Sequence, residues 1–132
     1  MNDRLQRLSR YRLARERVAP ATSLKAFERL VAQALDELPP EIQQRLDNVA
    51  VVVDEQGSGE LLGLYEGVNQ LDRAFGYHLT TPDRITLFWK PIVEEVGTPD
   101  PEAIRREVRK TIIHEVAHHF GIDDTELERL GG

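Results

Sequence analysis

The chain has no cysteine, which excludes disulfides and thiolate-ligated metal sites. No run of 18 apolar residues exists, so no membrane-spanning helix is expected. The first 20 residues lack the apolar stretch of a secretory leader. No internal repeat or low-complexity segment is present, which sets aside solenoid and array architectures. These absences together point to a soluble protein with no membrane partner. The cytoplasm, whose reducing chemistry suits a cysteine-free chain, is the expected location.

What is present is a chain of 132 residues with a formal net charge of −6. That length is most simply one domain, able to bury about two thirds of its unfolded surface. The charge is unevenly spread. Residues 1–20 carry six arginines against two acids, whereas the remaining residues carry 11 basic and 21 acidic groups. The expected organisation is a basic, flexible N-terminal arm over 1–20 and a single domain over 21–132. A basic arm can touch nucleic acid or an acidic partner, but it reads more simply as a solvated terminus. The acidic body argues against the domain being a general nucleic-acid binder.

Apolar spacing gives the layout. Arg4 to Arg17 could form an arginine-rich helix. Ser23 is an N-cap for a helix from Leu24 to Leu38, with Phe27, Leu30, Val31, Ala34, Leu35 and Leu38 on one stripe. Pro39-Pro40 ends it, and Glu41 to Leu46 reads as a short helix. Val49 to Val53 is a continuous β-branched run, expected as a buried strand. Leu61 to Glu66 and Arg84 to Trp89 are the second and third strands, with a loop over Val68 to Thr81 between them. Pro91 to Val96 should form one helical turn. Asp100 and Pro101 then open a long helix, and Ile104, Val108, Ile112 and Val116 form its i+4 apolar stripe. Thr125 to Leu130 reads as a last short helix. Trp89 is expected in the core, and Glu94-Glu95 on a solvated face.

The chemistry is concentrated at the end of the long helix. His114-Glu115-Val116-Ala117-His118-His119-Phe120-Gly121-Ile122-Asp123-Asp124 reads H-E-x-x-H-x-x-G-x-x-D. Residues four apart on a helix have Cβ atoms roughly 6 Å apart on one face. Two imidazoles so placed can share one zinc ion at about 2.0–2.1 Å each. At 100° per residue, His114 and His118 lie off the apolar stripe, as ligands at a cleft floor must. Glu115 projects beside the pair and can take a proton from a zinc-bound water. Gly121 can adopt the left-handed turn that ends a helix. The chain would then fold back, so that Asp124 offers a third ligand and the fourth position stays open for water. Chance alone would give H-E-x-x-H in roughly one such chain in a hundred, and the added Gly and Asp cut that to on the order of one in ten thousand. The competing reading is a buried helix with two incidental histidines and two helix-capping aspartates.

Beyond the motif the residues leave choices open. His119 lies near the apolar stripe and reads as a packed or supporting histidine rather than a ligand. Asp123 could replace Asp124 as the ligand, or cap the last helix with Glu126 in a capping-box-like arrangement. The motif offset favours Asp124. His78, Tyr65, Tyr77 and Arg84 are candidates for stabilising a transition-state oxyanion.

The stretch His114 to Asp124 is similar to the extended zincin motif, with Asp where metzincins have a third His. With Phe27 to Pro39, Gly63 to Gly67, Pro82 to Phe88 and Val108 to Asp124, the chain resembles a family of small bacterial zincin-like metallopeptidases, the minimal zincins. The resemblance leaves out the first 20 residues. It implies an α+β fold: a small zincin-like core in which a twisted mixed sheet of three to four strands packs against the motif helix and an N-terminal helix. It also implies peptidase activity on a peptide or protein substrate, with Zn2+ as cofactor. Leu61 to Glu66 is then the candidate exposed edge strand, to which an extended substrate could add; an ordinary paired strand is the alternative. Two departures from larger zincins matter. The only methionine is Met1, so no Met-turn can lie beneath the metal. Only eight residues follow Asp124, too few for a C-terminal subdomain and a second cleft wall.

The expected activity is therefore zinc-assisted hydrolysis of peptide bonds. Zinc polarises the carbonyl and lowers the pKa of its water toward about 7. Glu115 takes the proton and returns it to the leaving amine. Two rivals stay open. A metal-dependent ribonuclease family uses H-x-x-x-H-x-x-G-x-x-H, but with Gly where this chain has Glu115 and His where it has Asp124. A non-catalytic binding protein would carry a structural or vestigial metal site, and a structural site would need a fourth protein ligand.

Overall fold

In the computed structural model, which describes residues 22–57, 59–67 and 82–131, Ser23 starts the first helix. Its backbone is extended, and its Oγ accepts the Ala26 N–H at 3.1 Å, capping α1 (Leu24–Asp36). Phe27, Leu30, Val31 and Ala34 fall on one face of α1 and are buried. The helix stops at Asp36, two residues short of the expected Leu38, because the prolines that follow restrict the backbone ahead of them. Leu38 is buried all the same. Pro40 takes the first turn of α2 (Pro40–Arg45), where its missing N–H costs nothing.

Among the described residues three strands form one mixed sheet in the order β1-β3-β2. They are β1 (Val49–Asp54), β2 (Gly63–Glu66) and β3 (Asp83–Phe88). β1 runs parallel to β3, with Val49 opposite Asp83. β2 runs antiparallel to β3, with Gly63 opposite Leu87 and Glu66 opposite Arg84. β3 is central, and Ile85 to Phe88 are buried along it. The expectation of a buried first strand is corrected. Among the described residues β1 pairs only with β3, its residues are at most half-buried, and Val52 is 38% exposed. A β-branched run suits any pleated surface and does not by itself report cover on both faces.

Trp89 closes the third strand by opening a helix. Its Nε1–H donates to the Thr22 carbonyl at 3.0 Å, and the ring is in the core as expected. α3 (Trp89–Val96) has eight residues rather than the single turn expected, and Gly97 ends it at φ 75°. Next comes α4 (Pro101–Phe120), the motif helix. Asp100 caps it, with Oδ1 accepting the Glu102 N–H at 3.3 Å, and Gly121 stops it at φ 66°. Ile104, Val108, Ile112 and Val116 are all 0% exposed, so the stripe read from the sequence is the centre of the core. α4 packs on β2 and β3 as expected, whereas the chief partner of α1 is α4 rather than the sheet. α5 (Asp124–Arg129) is tied to α2 by Arg129, which pairs with Glu41 at 3.0 Å and also with Glu126. The architecture is α+β with a three-stranded mixed sheet on the motif helix. No helix among the described residues is long and apolar enough to cross a membrane. The arm over 1–20, the helix expected from Arg4 to Arg17 and the loop expected over Val68 to Thr81 lie outside the described residues.

Candidate active site

His114 and His118 stand one turn apart near the C-terminal end of α4. Their side of the helix is the one left free by the buried stripe. His114 is half-buried and His118 exposed. Together with Glu115 they line a cleft of about 330 Å³. Glu107, Lys110 and Thr111 extend its helical floor toward the start of α4. The facing wall is Glu60, Leu61, Leu62 and Gly63, where the chain enters β2.

Hydrogen bonding sets how β2 faces this cleft. The Phe88 N–H donates to the Leu62 carbonyl at 3.0 Å. In an antiparallel ladder, bonded pairs alternate with non-bonded ones. Leu64 opposite Thr86 is then a bonded pair, whereas Gly63 and Tyr65 turn their main-chain groups away from β3. Among the described residues β2 pairs only with β3, so it is an edge strand there. The outward N–H of Tyr65 donates to Glu115 Oε1 at 3.0 Å. Glu115 is thus held directly beneath the strand edge.

His114 Nε2 is buried and has no hydrogen-bond partner among the described residues. A buried polar atom left in that state costs free energy unless something binds it. A zinc ion shared with His118 would satisfy it, and neutral imidazole nitrogens are among zinc's preferred donors. The third ligand is less well placed. Among the described residues no three His, Asp or Glu side chains stand close enough to hold one ion. Asp124 is exposed at the start of α5, beyond the Gly121 turn. The histidine pair therefore fits the metal, and Asp124 stands apart from it in this structure.

Asp123 is already engaged. Its side chain caps α5, with Oδ1 accepting the Glu126 N–H at 2.8 Å. The capping box is only half made, because the Glu126 carboxylate turns to Arg129. His119 stacks on Tyr65, with centroids 3.9 Å apart, and meets Phe120 edge-on at 4.8 Å. It packs on an exposed ring cluster rather than beside the core stripe, because the stripe ends before the last turn. Of the oxyanion candidates, Tyr65 donates its hydroxyl to Asp83 at 2.8 Å, and Arg84 pairs with Glu66 at 2.9 Å. Neither lines the cleft. His78 and Tyr77 lie outside the described residues. Sequence reasoning missed Glu60, Glu107, Lys110 and Thr111 as cleft residues, whereas Leu61, Leu62 and Gly63 fall in the stretch it singled out as the substrate edge. Only the offsets of Glu107, Lys110 and Thr111 from His114 along the helix could have signalled any of them.

Residues 41–132 match the model of a family described as zincin-like metallopeptidase. No curated protein matches the chain. The match runs from α2 through α5 and takes in the whole sheet, the cleft and the motif, so the chain belongs to the zincin-like metallopeptidase family.

Proposed function

We propose that this protein is a zinc-dependent hydrolase of peptide bonds, with His114, His118 and Asp124 as metal ligands and Glu115 as general base. One observation carries the reading: the Nε2 of His114, buried and without a hydrogen-bond partner among the described residues, in a cleft that it shares with His118 and Glu115. When bound, zinc supplies a Lewis acid that polarises a carbonyl and makes water more acidic. The protein's own groups do the rest. Glu115 uses one oxygen to accept the Tyr65 N–H. Its other oxygen takes the proton of the attacking water and passes it to the leaving nitrogen. The outward main chain of Gly63 pairs with an extended peptide laid along the strand edge. Asp124 would be the third residue holding the metal, while Asp123 caps α5. The cleft supports a peptide over RNA as substrate. Among the described residues Glu60, Glu107 and Glu115 line it with one lysine, Lys110, a balance that favours a neutral or basic peptide over a phosphodiester chain.

The test is zinc content by elemental analysis, followed by digestion of a peptide library and of RNA with zinc present. One zinc per chain, peptide products and intact RNA are expected. His118→Ala should abolish tight zinc binding. Equal zinc in that variant and the wild type would refute the ligand assignment. Cleaved RNA with an intact peptide library would refute the peptidase reading.

A further inference from the structure

Strand β2 and helix α4 run alongside one another with matched spacing. A Cβ on Gly63 would lie 2.8 Å from Thr111 Cγ2, and one on Gly67 would lie 3.2 Å from His119 Cε1. Between them the Tyr65 N–H meets Glu115. The three meetings fall two residues apart on the strand and four apart on the helix. Two strand residues rise about 6.8 Å and four helical residues about 6.0 Å, so the two elements stay in step over this stretch. At Gly63 a Cβ would force something to shift, whereas at Gly67 the exposed His119 ring would need to give by only a few tenths of an ångström. At Gly63 the Thr111 methyl cannot easily rotate aside, because Thr111 Oγ1 donates to the Glu107 carbonyl at 2.8 Å.

We propose that the main-chain N–H of Tyr65 is the positioning group for Glu115, and that Gly63 against Thr111 sets the spacing at which it acts. The assignment rests on the reading of Glu115 as general base. A glutamate on a helix surface has three side-chain torsions to settle. Fixing Oε1 on a strand N–H orients the carboxylate at the cleft that Glu115 lines. A main-chain donor cannot rotate away as a side-chain donor can. Its own residue is further held, since the Tyr65 ring stacks on His119 and its hydroxyl reaches Asp83. Tyr65 is therefore a positioning residue acting through its backbone.

Amide hydrogen exchange of the full chain reads this bond without any substrate. The Tyr65 amide faces away from β3, so its protection depends on Glu115. Glu115→Ala should speed its exchange by about tenfold or more. Glu115→Gln keeps an acceptor oxygen and should retain the protection. Gly63→Ala should expose the Tyr65 amide as Glu115→Ala does, and adding Thr111→Ser, which removes the closer obstruction, should restore it in part, since the Thr86 carbonyl oxygen still lies 3.2 Å from the new Cβ. The Leu64 and Glu66 amides, which face β3, should stay protected in every variant and so report that the sheet is intact. A Tyr65 amide that exchanges equally in wild type and Glu115→Ala overturns the proposal. That result would leave the general-base reading standing, because the latter is judged by hydrolysis alone.

Discussion

Asp123 and Asp124 are adjacent and both exposed, and the proposed function assigns them different tasks. The Asp123 carboxylate accepts the Glu126 N–H as a helix cap, whereas Asp124 is the proposed third ligand. Asp123→Ala should therefore cost about 1 kcal/mol of stability, the usual loss for a helix cap, and leave zinc content unchanged. Asp124→Ala should weaken zinc binding with little change in the thermal midpoint of the metal-free protein. Measuring zinc content and melting on the two variants separates the roles, and the opposite pattern would transfer the ligand role to Asp123. Glu115 differs from both. Glu115→Gln is nearly isosteric but cannot take a proton at neutral pH. It should keep zinc and lose roughly 10²–10⁴-fold in hydrolysis rate, the usual contribution of a general base. Single-turnover rates on a peptide found by library screening would measure this. A Glu115→Gln variant cleaving at the wild-type rate would end the mechanism.

At the scale of elements, the motif helix was the most legible part of the sequence. Asp100-Pro101 and Gly121 mark its ends, and its stripe repeats every four residues, so local rules and tertiary packing agree there. β1 was misjudged because a β-branched run looks the same whether one face or two are covered. The start of α3 was missed because Trp89 suits the end of a strand as well as the first turn of a helix. The pairing of β2 with α4 was beyond reach, since the Tyr65 to Glu115 bond spans 50 residues and no local pattern encodes it. The glycines at 63 and 67 were visible as glycines, but only the structure shows what approaches them. The tie between α2 and α5 was equally hidden. The hydrogen bond from Arg129 holds the Glu41 carboxyl below its usual pKa. Glu126, and then Glu41, raise Arg129 above its own. The sign follows for Glu41: the tie is fully present above its ordinary pKa and fades as pH falls through the lowered value. The pair is exposed, so its share of stability is small. Arg129→Ala should move the Glu41 midpoint upward toward the ordinary carboxylate range in a carboxyl NMR titration. An unmoved midpoint would show that the tie does not persist in solution.

At the scale of the whole molecule, charge and cleft shape act on the same substrate. Residues 21–132 carry 11 basic and 21 acidic groups, so the body presents a negative field to anything approaching it. The cleft repeats that sign: among the described residues Glu60, Glu107 and Glu115 line it with a single lysine, Lys110. Its volume of about 330 Å³ sits at the small end for ligand sites. The strand edge is also short as a template. Of the two β2 residues facing outward, Tyr65 has its N–H engaged by Glu115, so Gly63 is the residue left to pair through both its main-chain groups. A few extended residues of substrate can be held there, and affinity beyond them depends on the field. Short peptides with lysines flanking the scissile bond should therefore be cleaved with higher kcat/KM than matched peptides with glutamates. The gap should narrow as salt rises from about 0.01 M to 0.15 M, where the screening length falls from about 30 Å to about 8 Å. Lengthening a peptide beyond the cleft should add little, and a folded protein without loose ends should resist cleavage. The measurement is kcat/KM for the two peptide series at both salt concentrations with zinc saturating. A preference for the glutamate series, or a lysine preference that salt does not touch, would show that local contacts rather than the molecule's field select the substrate.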